Sequence, residues 1–272
     1  HCKPQHHHTV KLNYHMFLVL LLISTPGWSQ EVTDSLRILR VLTFNIYHGA
    51  TMHGDFDLDY IAEVIHDADP DLVALQEVDF LTRRAKGYDL ATELGWRLKM
   101  APLFARAMPY DGGEYGEAVL SKYSFVTTRN VPLPYTGGRE PRAAVEVVTV
   151  LPSGDTIAFI GTHLDHTGDD TDRILQVKMI NEVFTRGRYP SILAGDLNAV
   201  PGSVPIGLLE EVWSSSYDKG APVPTYPSGD PVRKIDYVMF RPAGRWRVIS
   251  REVIQDSIAS DHCAYLVVLE LL

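Results

Sequence analysis

The stretch SDHCAYLVVLEL, residues 260–271, has two parts of opposite character. Ala264 to Leu271 is an apolar, β-branched run of the kind that fills a core strand. Asp261 and His262 stand immediately before it. A carboxylate and an imidazole are rarely buried without partners. The pair therefore either caps a loop or belongs to a site whose other members lie elsewhere. If it belongs to a site, other strands must deliver polar groups to the same edge.

Other strands do carry such groups. The strand-like runs ILRVLTFNI (38–46), DLVALQEV (71–78), TIAFIGTHL (156–164) and SILAGDL (191–197) carry Asn45, Glu77, His163 and Asp196 at or near their ends. Asn198 follows Asp196, and Asp236 enters KIDYVMF (234–240). EAVLSKYSFVTT (117–128), RAAVEVVTVL (142–151) and WRVISREVI (246–254) read as further strands, with a turn at PSGD (152–155). DLDYIAEVIHDA (57–68) places Leu58, Ile61, Ala62 and Ile65 on one helical face. DRILQVKMINEVFTR (172–186) is expected to turn Ile174, Leu175, Met179, Ile180 and Val183 inward.

Singly, each polar residue has a plain reading: Asn45 caps a turn, Glu77 is an edge carboxylate, Asp196 and Asn198 form an Asx-turn, and His163 is a satisfied core histidine. Jointly they predict strand ends gathered at one edge. The expected architecture is α+β, with two mixed sheets packed face to face and helices outside. It spans a single domain, residues 37–272, whose halves repeat strand, helix and strands without a sequence repeat.

The composition, 45% hydrophobic and 22% charged over 272 residues, is that of a globular protein. Upstream, the apolar run Met16–Ile23, a Pro-Gly break and the small residues Gly27 and Ser29 read as a signal peptide cleaved before Gln30. Residues 1–29 are then an upstream segment, 30–36 a short lead, and the expected location is the periplasm or the extracellular space. The run is too short to span a bilayer, so no stable membrane insertion is expected. Cleavage removes Lys3 and Lys11 and no acid, taking the formal charge from −9 to −11. That disfavours a broad basic surface for nucleic acid, although a bound cation can supply positive charge locally. Cys2 lies in the removed segment, so Cys263 has no disulfide partner and reads as packing.

The residue types fit phosphate-ester chemistry. Glu77, Asp261 and Asn45 offer oxygen ligands to a hard cation, and His163 and His262 are of the type that titrates near neutral pH. HExxH, a cysteine cluster and GxSxG do not occur.

TFNIYHG, ALQEV, YGEAVLS, THLDH, AGDLNAVPGS, KIDYV and SDHC, in this order, resemble the endonuclease/exonuclease/phosphatase superfamily over residues 38–270. The resemblance implies a four-layer α/β sandwich and Mg²⁺, or Mn²⁺ in its place, held chiefly by Glu77 with Asn45 and Asp261 beside it. Asp196 and Asn198 would orient the attacking water and hold a phosphoryl oxygen. His262, paired with Asp236, and His163 would act as base and acid, with Glu117 as the partner of His163. Arg142, in preference to Arg139, would contact phosphate; the plain reading of either is a surface ion pair. The expected activity is a secreted, monomeric phosphodiesterase. The alternatives are a phosphomonoesterase on inositol or sugar phosphates, and an inactive binding module. Arg83, Arg84 and Lys86 form either a grip on substrate or a solvated turn, and Tyr110 and Tyr115 are candidates for stacking.

Overall fold

Ile38–Asn45 forms β1, α1 (Leu58–Asp67) crosses over it, and β2 (Leu72–Phe80) lies parallel beside β1 in the computed structural model, which describes residues 37–272. The expected signal segment lies outside the described residues. Asp57 caps α1 by accepting the Tyr60 N–H at 2.9 Å, and the face predicted to be buried is buried. Next come α2 (Leu90–Leu98) and the hairpin β3 (Ala101–Tyr110) and β4 (Gly113–Ser121). β5 (Phe125–Leu133), β6 (Arg142–Val150) and β7 (Thr156–His163) pair antiparallel in sequence. α3 (Thr171–Phe184) crosses to β8 (Ser191–Asp196), parallel to β7. The chain closes with α4 (Val204–Glu210), the two-residue β9 (Ser214–Ser215), β10 (Asp236–Arg241), β11 (Trp246–Ile254) and β12 (Ala264–Leu271).

These strands make two six-stranded mixed sheets, ordered β11-β12-β1-β2-β4-β3 and β5-β6-β7-β8-β10-β9. Each centres on a parallel strand–helix–strand unit flanked by antiparallel strands, which accounts for the likeness of the two halves. Leu39, Val41, Val147, Phe159 and Val267 interdigitate between the sheets. Outside them, Leu42, Val73 and Leu75 pack on α1 and α2, while Ile160 and Leu193 pack on α3 and α4. The result is the expected four-layer α+β sandwich.

Two local expectations are corrected. EAVLSKYSFVTT is not one strand: β4 ends at Ser121, β5 begins at Phe125, and the two lie in different sheets. The crossing is pinned by Lys122, whose ammonium reaches Asp69 at 2.7 Å and Asp71 at 3.2 Å. On α3, Ile180 is buried as expected and Met179 and Val183 pack partly buried on the core, but Leu175 is exposed and Asp172, Arg173, Gln176, Val177 and Phe184 also face inward. Polar residues face inward there because α3 covers a loop rather than only a sheet. Arg173 donates to the carbonyls of Asp165 at 2.8 Å and Thr167 at 2.7 Å, and Gln176 accepts the Asp165 N–H at 2.9 Å. Finally, α2, β3 and α4 carry no pattern read from the sequence: β3 is an edge strand with two prolines and little burial, so it lacks the alternation of a half-buried strand.

Candidate active site

Parallel pairing sends the ends of β1, β2, β7 and β8 to one edge of the sandwich. Register does the rest. His163 on β7 lies opposite Asp196 on β8, which lies opposite Asp236 on β10. Three strand-end groups thus line up across one sheet. The strands approach closely there: a Cβ on Gly195 would stand 2.0 Å from the Thr162 carbonyl oxygen, so only glycine fits.

The other sheet contributes through a β-bulge. Between Leu75 and Val78, β2 sets Gln76 and Glu77 against the single residue Glu117 of β4. Leu75 and Val78 both face the helix layer, and Glu77, at φ 56, is turned out of the alternation into the pocket. Asn45 stitches the sheets together, its amide N–H groups donating to Glu77 Oε1 at 3.1 Å and Asp196 Oδ2 at 3.3 Å. The loop of Asp261 and His262 is tied down by Ser260 Oγ, which donates to the Asn45 carbonyl at 2.6 Å, and by Ser228 N–H, which donates to the Asp261 carbonyl at 2.7 Å.

Glu77, Arg142, His163, Asp196, Asn198, Asp261 and His262 line one pocket of about 400 Å³. Asp236 and Asn45, fully buried, sit behind it. His262 Nδ1 lies 3.1 and 3.2 Å from the two Asp236 oxygens, and its Nε2 is 3.6 Å from Asp196 Oδ2. Burial pulls the His262 imidazole down, but Asp236 and Asp196 outweigh it and raise its pKa. Burial raises the Asp196 carboxyl, opposed by His262 and reinforced by Asp236. Asp196 Oδ1 accepts the Asn198 N–H at 2.9 Å, a turn in which Asn198 adopts φ 47, a conformation asparagine tolerates.

His163 departs from expectation. Its Nδ1 is 2.8 Å from an Arg142 terminal nitrogen. A guanidinium only donates, so at this shorter contact Nδ1 accepts and the ring proton sits on Nε2, 3.4 Å from Asp196 Oδ2; the Asn198 amide nitrogen, 3.1 Å from Nε2 and held by the Leu164 carbonyl, is then a second donor beside it and not its partner. Burial, then the charge of Arg142, holds His163 well below the usual histidine range. Glu117 is therefore not its partner. Glu117 is fully buried, neither carboxyl oxygen is hydrogen-bonded, and burial pushes its pKa well above the carboxylate range. Arg142 has taken the place on His163 that the sequence reading gave to Glu117.

Arg139 is a second correction. It lies outside the pocket, paired with Asp169 and donating to Thr167 Oγ1 at 2.9 Å, where it clamps the loop before α3. Arg84 is neither free nor a solvated turn. Asp79 holds it through two hydrogen bonds of 2.7 and 2.8 Å, and it lies 4.4 Å from the Tyr110 ring centroid at the pocket rim. Arg83 is exposed and paired with Asp111, and Lys86 lies over Phe56. Tyr110 and Tyr115 both line the pocket. Sequence reading missed His166, Glu140, Tyr226 and Arg233, which also line it. The second histidine of THLDH was the available signal for His166.

Two groups are relevant to a metal. Glu77 and Asp261 are carboxylates facing one pocket. Burial pushes Glu77 up, but His48, 3.7 Å away, and the hydrogen bond from Asn45 outweigh it and hold it below its usual value. Asp261 is raised by burial, and by the charge of Glu77 against the opposing pull of His262. Two oxygen-donor groups of like charge suit a hard divalent cation. The ligating atoms of Asp196, Asp236 and His262 also lie within 4.8 Å of one another. There the His262–Asp236 hydrogen bonds already engage the donors, so the first group fits a cation better.

The sequence profile of the Endonuclease/Exonuclease/phosphatase family matches residues 42–262, and the chain belongs to that family. Its members are hydrolases acting on phosphoesters, and the family generally uses a divalent metal. Among solved structures, an endonuclease/exonuclease/phosphatase from Beutenbergia cavernae is similar at 27% identity and TM-score 0.72, over 86% of this chain and 72% of that one. A mannosyl-6-phosphatase from Bacteroides thetaiotaomicron is 19% identical with TM-score 0.70, over 85% and 99%. The human Nocturnin catalytic domain with bound sulfate is 18% identical with TM-score 0.66, over 87% and 95%. These last two likenesses concern the fold. Among the described residues no helix is long and apolar enough to cross a membrane.

Proposed function

We propose that this protein is an exported, divalent-cation-dependent hydrolase of phosphoester bonds that uses in-line attack by water. The carrying observation is convergence: the His262–Asp236 couple, the His163–Asn198 pair and the Glu77–Asp261 carboxylates meet around Asp196 in one pocket. Glu77 and Asp261 would hold Mg²⁺ or Mn²⁺, which supplies charge neutralisation at a non-bridging phosphoryl oxygen; Asn45, expected as a ligand, turns its N–H groups to Glu77 and Asp196 while its oxygen accepts the Tyr47 N–H at 3.1 Å, so it would steady Glu77 and not ligate. Asp196 accepts a hydrogen bond from the attacking water and orients it. Water bonds to phosphorus as its proton passes to Nε2 of His262 in its neutral form, Asp236 steadying the imidazolium that results, while the bond to the leaving oxygen breaks and that oxygen takes its proton from solvent. His163 donates Nε2–H to a phosphoryl oxygen, with the Asn198 amide 3.1 Å away beside it. Because His163 is held neutral, it binds charge rather than delivering a proton. The apolar run ahead of Gly27 and Ser29 supports export.

Sequence reading placed phosphodiesters first and phosphomonoesters of inositol or sugars second. An inactive scaffold is disfavoured because each of these positions carries a competent side chain. The test is hydrolysis of p-nitrophenyl phosphate and bis-p-nitrophenyl phosphate with Mg²⁺, Mn²⁺ or EDTA. The reading expects metal-dependent turnover of at least one, lost in Asp196→Asn. Turnover of neither with any metal contradicts it.

A further inference from the structure

We propose that His166 is a substrate-binding residue, and that Arg142 holds His163 and His166 as a pair of N–H donors for two oxygens of one terminal phosphoryl group, making the preferred substrate a phosphomonoester. This rests on the phosphoester reading above and narrows it.

Arg142 is 2% exposed, at the floor of the pocket. One terminal nitrogen donates to His163 Nδ1 at 2.8 Å, the other to His166 Nδ1 at 3.0 Å. Both rings therefore accept at Nδ1 and carry their protons on Nε2. The fork of an arginine ordinarily matches two oxygens of a phosphate or carboxylate directly. Here it is engaged by two imidazoles, each of which extends the hydrogen bonding outward. His166 has a side chain 58% exposed, and its ring edge away from Arg142 is free to meet a ligand. Glu140 approaches the same guanidinium at 3.3 Å and His166 Nδ1 at 4.0 Å, so it steadies the pair from the side.

Counting oxygens selects the substrate. A phosphodiester has two non-bridging oxygens. One would face the cation that Glu77 and Asp261 would hold and one would meet His163 with Asn198, leaving none for His166. A phosphomonoester has three.

The experiment compares wild type with His166→Ala and His166→Gln on p-nitrophenyl phosphate and bis-p-nitrophenyl phosphate, with Mg²⁺, and measures inhibition by inorganic phosphate. Loss of one hydrogen bond to a charged oxygen corresponds to roughly 10- to 100-fold. Wild type is expected to prefer the monoester. In His166→Ala its kcat/KM should fall at least about tenfold further than that of the diester, with Ki for phosphate rising about tenfold. A merely structural role would depress both substrates alike, and that equal loss overturns the proposal. So does an unchanged phosphate Ki, or a wild type that cleaves only the diester. A wild type that cleaves neither substrate instead removes the phosphoester reading, and this inference with it.

Discussion

Glu117→Gln separates the structure's account of the site from the one read off the sequence. The carboxyl is fully buried, with both oxygens unpartnered, and burial pushes its pKa well above its ordinary 4.5. The folded protein therefore retains this proton to higher pH than the unfolded chain does. As pH climbs from 4.5 toward the folded value, the unfolded state is favoured by about 1.4 kcal/mol per pH unit. A glutamine never ionises and escapes that penalty. Glu117→Gln is therefore expected to match wild type below about pH 4.5 and to be more stable at pH 7.5, with the gap widening between. Urea denaturation at pH 4.5, 6 and 7.5 measures this. Because Arg142 holds His163, kcat/KM of the variant should stay within roughly threefold of wild type, well inside the 10²–10⁴-fold worth of a proton-transferring group. A folded Glu117→Gln protein that loses activity a hundredfold, or is less stable at pH 7.5, refutes the reasoning.

Further expectations follow from the same geometry. Arg142→Lys keeps a charge but cannot hold two imidazoles, so turnover should fall about 10- to 100-fold while circular dichroism is unchanged. Mg²⁺ at a hundred times its Kd should stabilise wild type by about 2.7 kcal/mol in thermal or chemical denaturation, and Glu77→Gln should largely abolish the effect. Lys234 is buried, its ammonium against the Tyr265 ring at 3.4 Å, and burial pulls its pKa down to about 7 from 10.5. Between those values the unfolded state binds the extra proton, so this group adds stability as pH rises. The stability difference between wild type and Lys234→Met should move in favour of wild type from pH 7 to 10, by about 1.4 kcal/mol per unit at most. Gly195→Ala should fail to fold, since the new Cβ meets backbone at 2.0 Å; soluble, cooperative unfolding would contradict that.

What the sequence made legible was the chemistry at strand ends. Asn45, Glu77, His163, Asp196, Asp236 and Asp261–His262 each interrupt an apolar run, and parallel pairing needs only a shared edge to bring them together. The α1 face was readable because its burial is one-sided and apolar. That of α3 was not: its inward residues Arg173 and Gln176 satisfy loop carbonyls and amides that no periodicity encodes. The edge strand β3 lacked alternation for want of burial. The bulge that aims Glu77 depends on β2–β4 register, which one strand's sequence does not contain. The partner of His163 turned on a choice between two nearby residues, Glu117 and Arg142. That choice depends on side-chain reach across the sandwich rather than on spacing along the chain. Arg139 and Arg142 lie three positions apart, yet one closes a loop and the other floors the pocket.

The central claim is that a divalent cation and the His262–Asp196 pair act together on a phosphoester. Its most direct test is the rate of p-nitrophenyl phosphate and bis-p-nitrophenyl phosphate hydrolysis by wild type and His262→Ala, each with Mg²⁺ and with EDTA, alongside their unfolding curves. The account predicts turnover by wild type that EDTA abolishes, and a fall of about 10²–10⁴-fold in a still-folded His262→Ala protein. Cleavage that persists in EDTA, or His262→Ala at the wild-type rate, would contradict it.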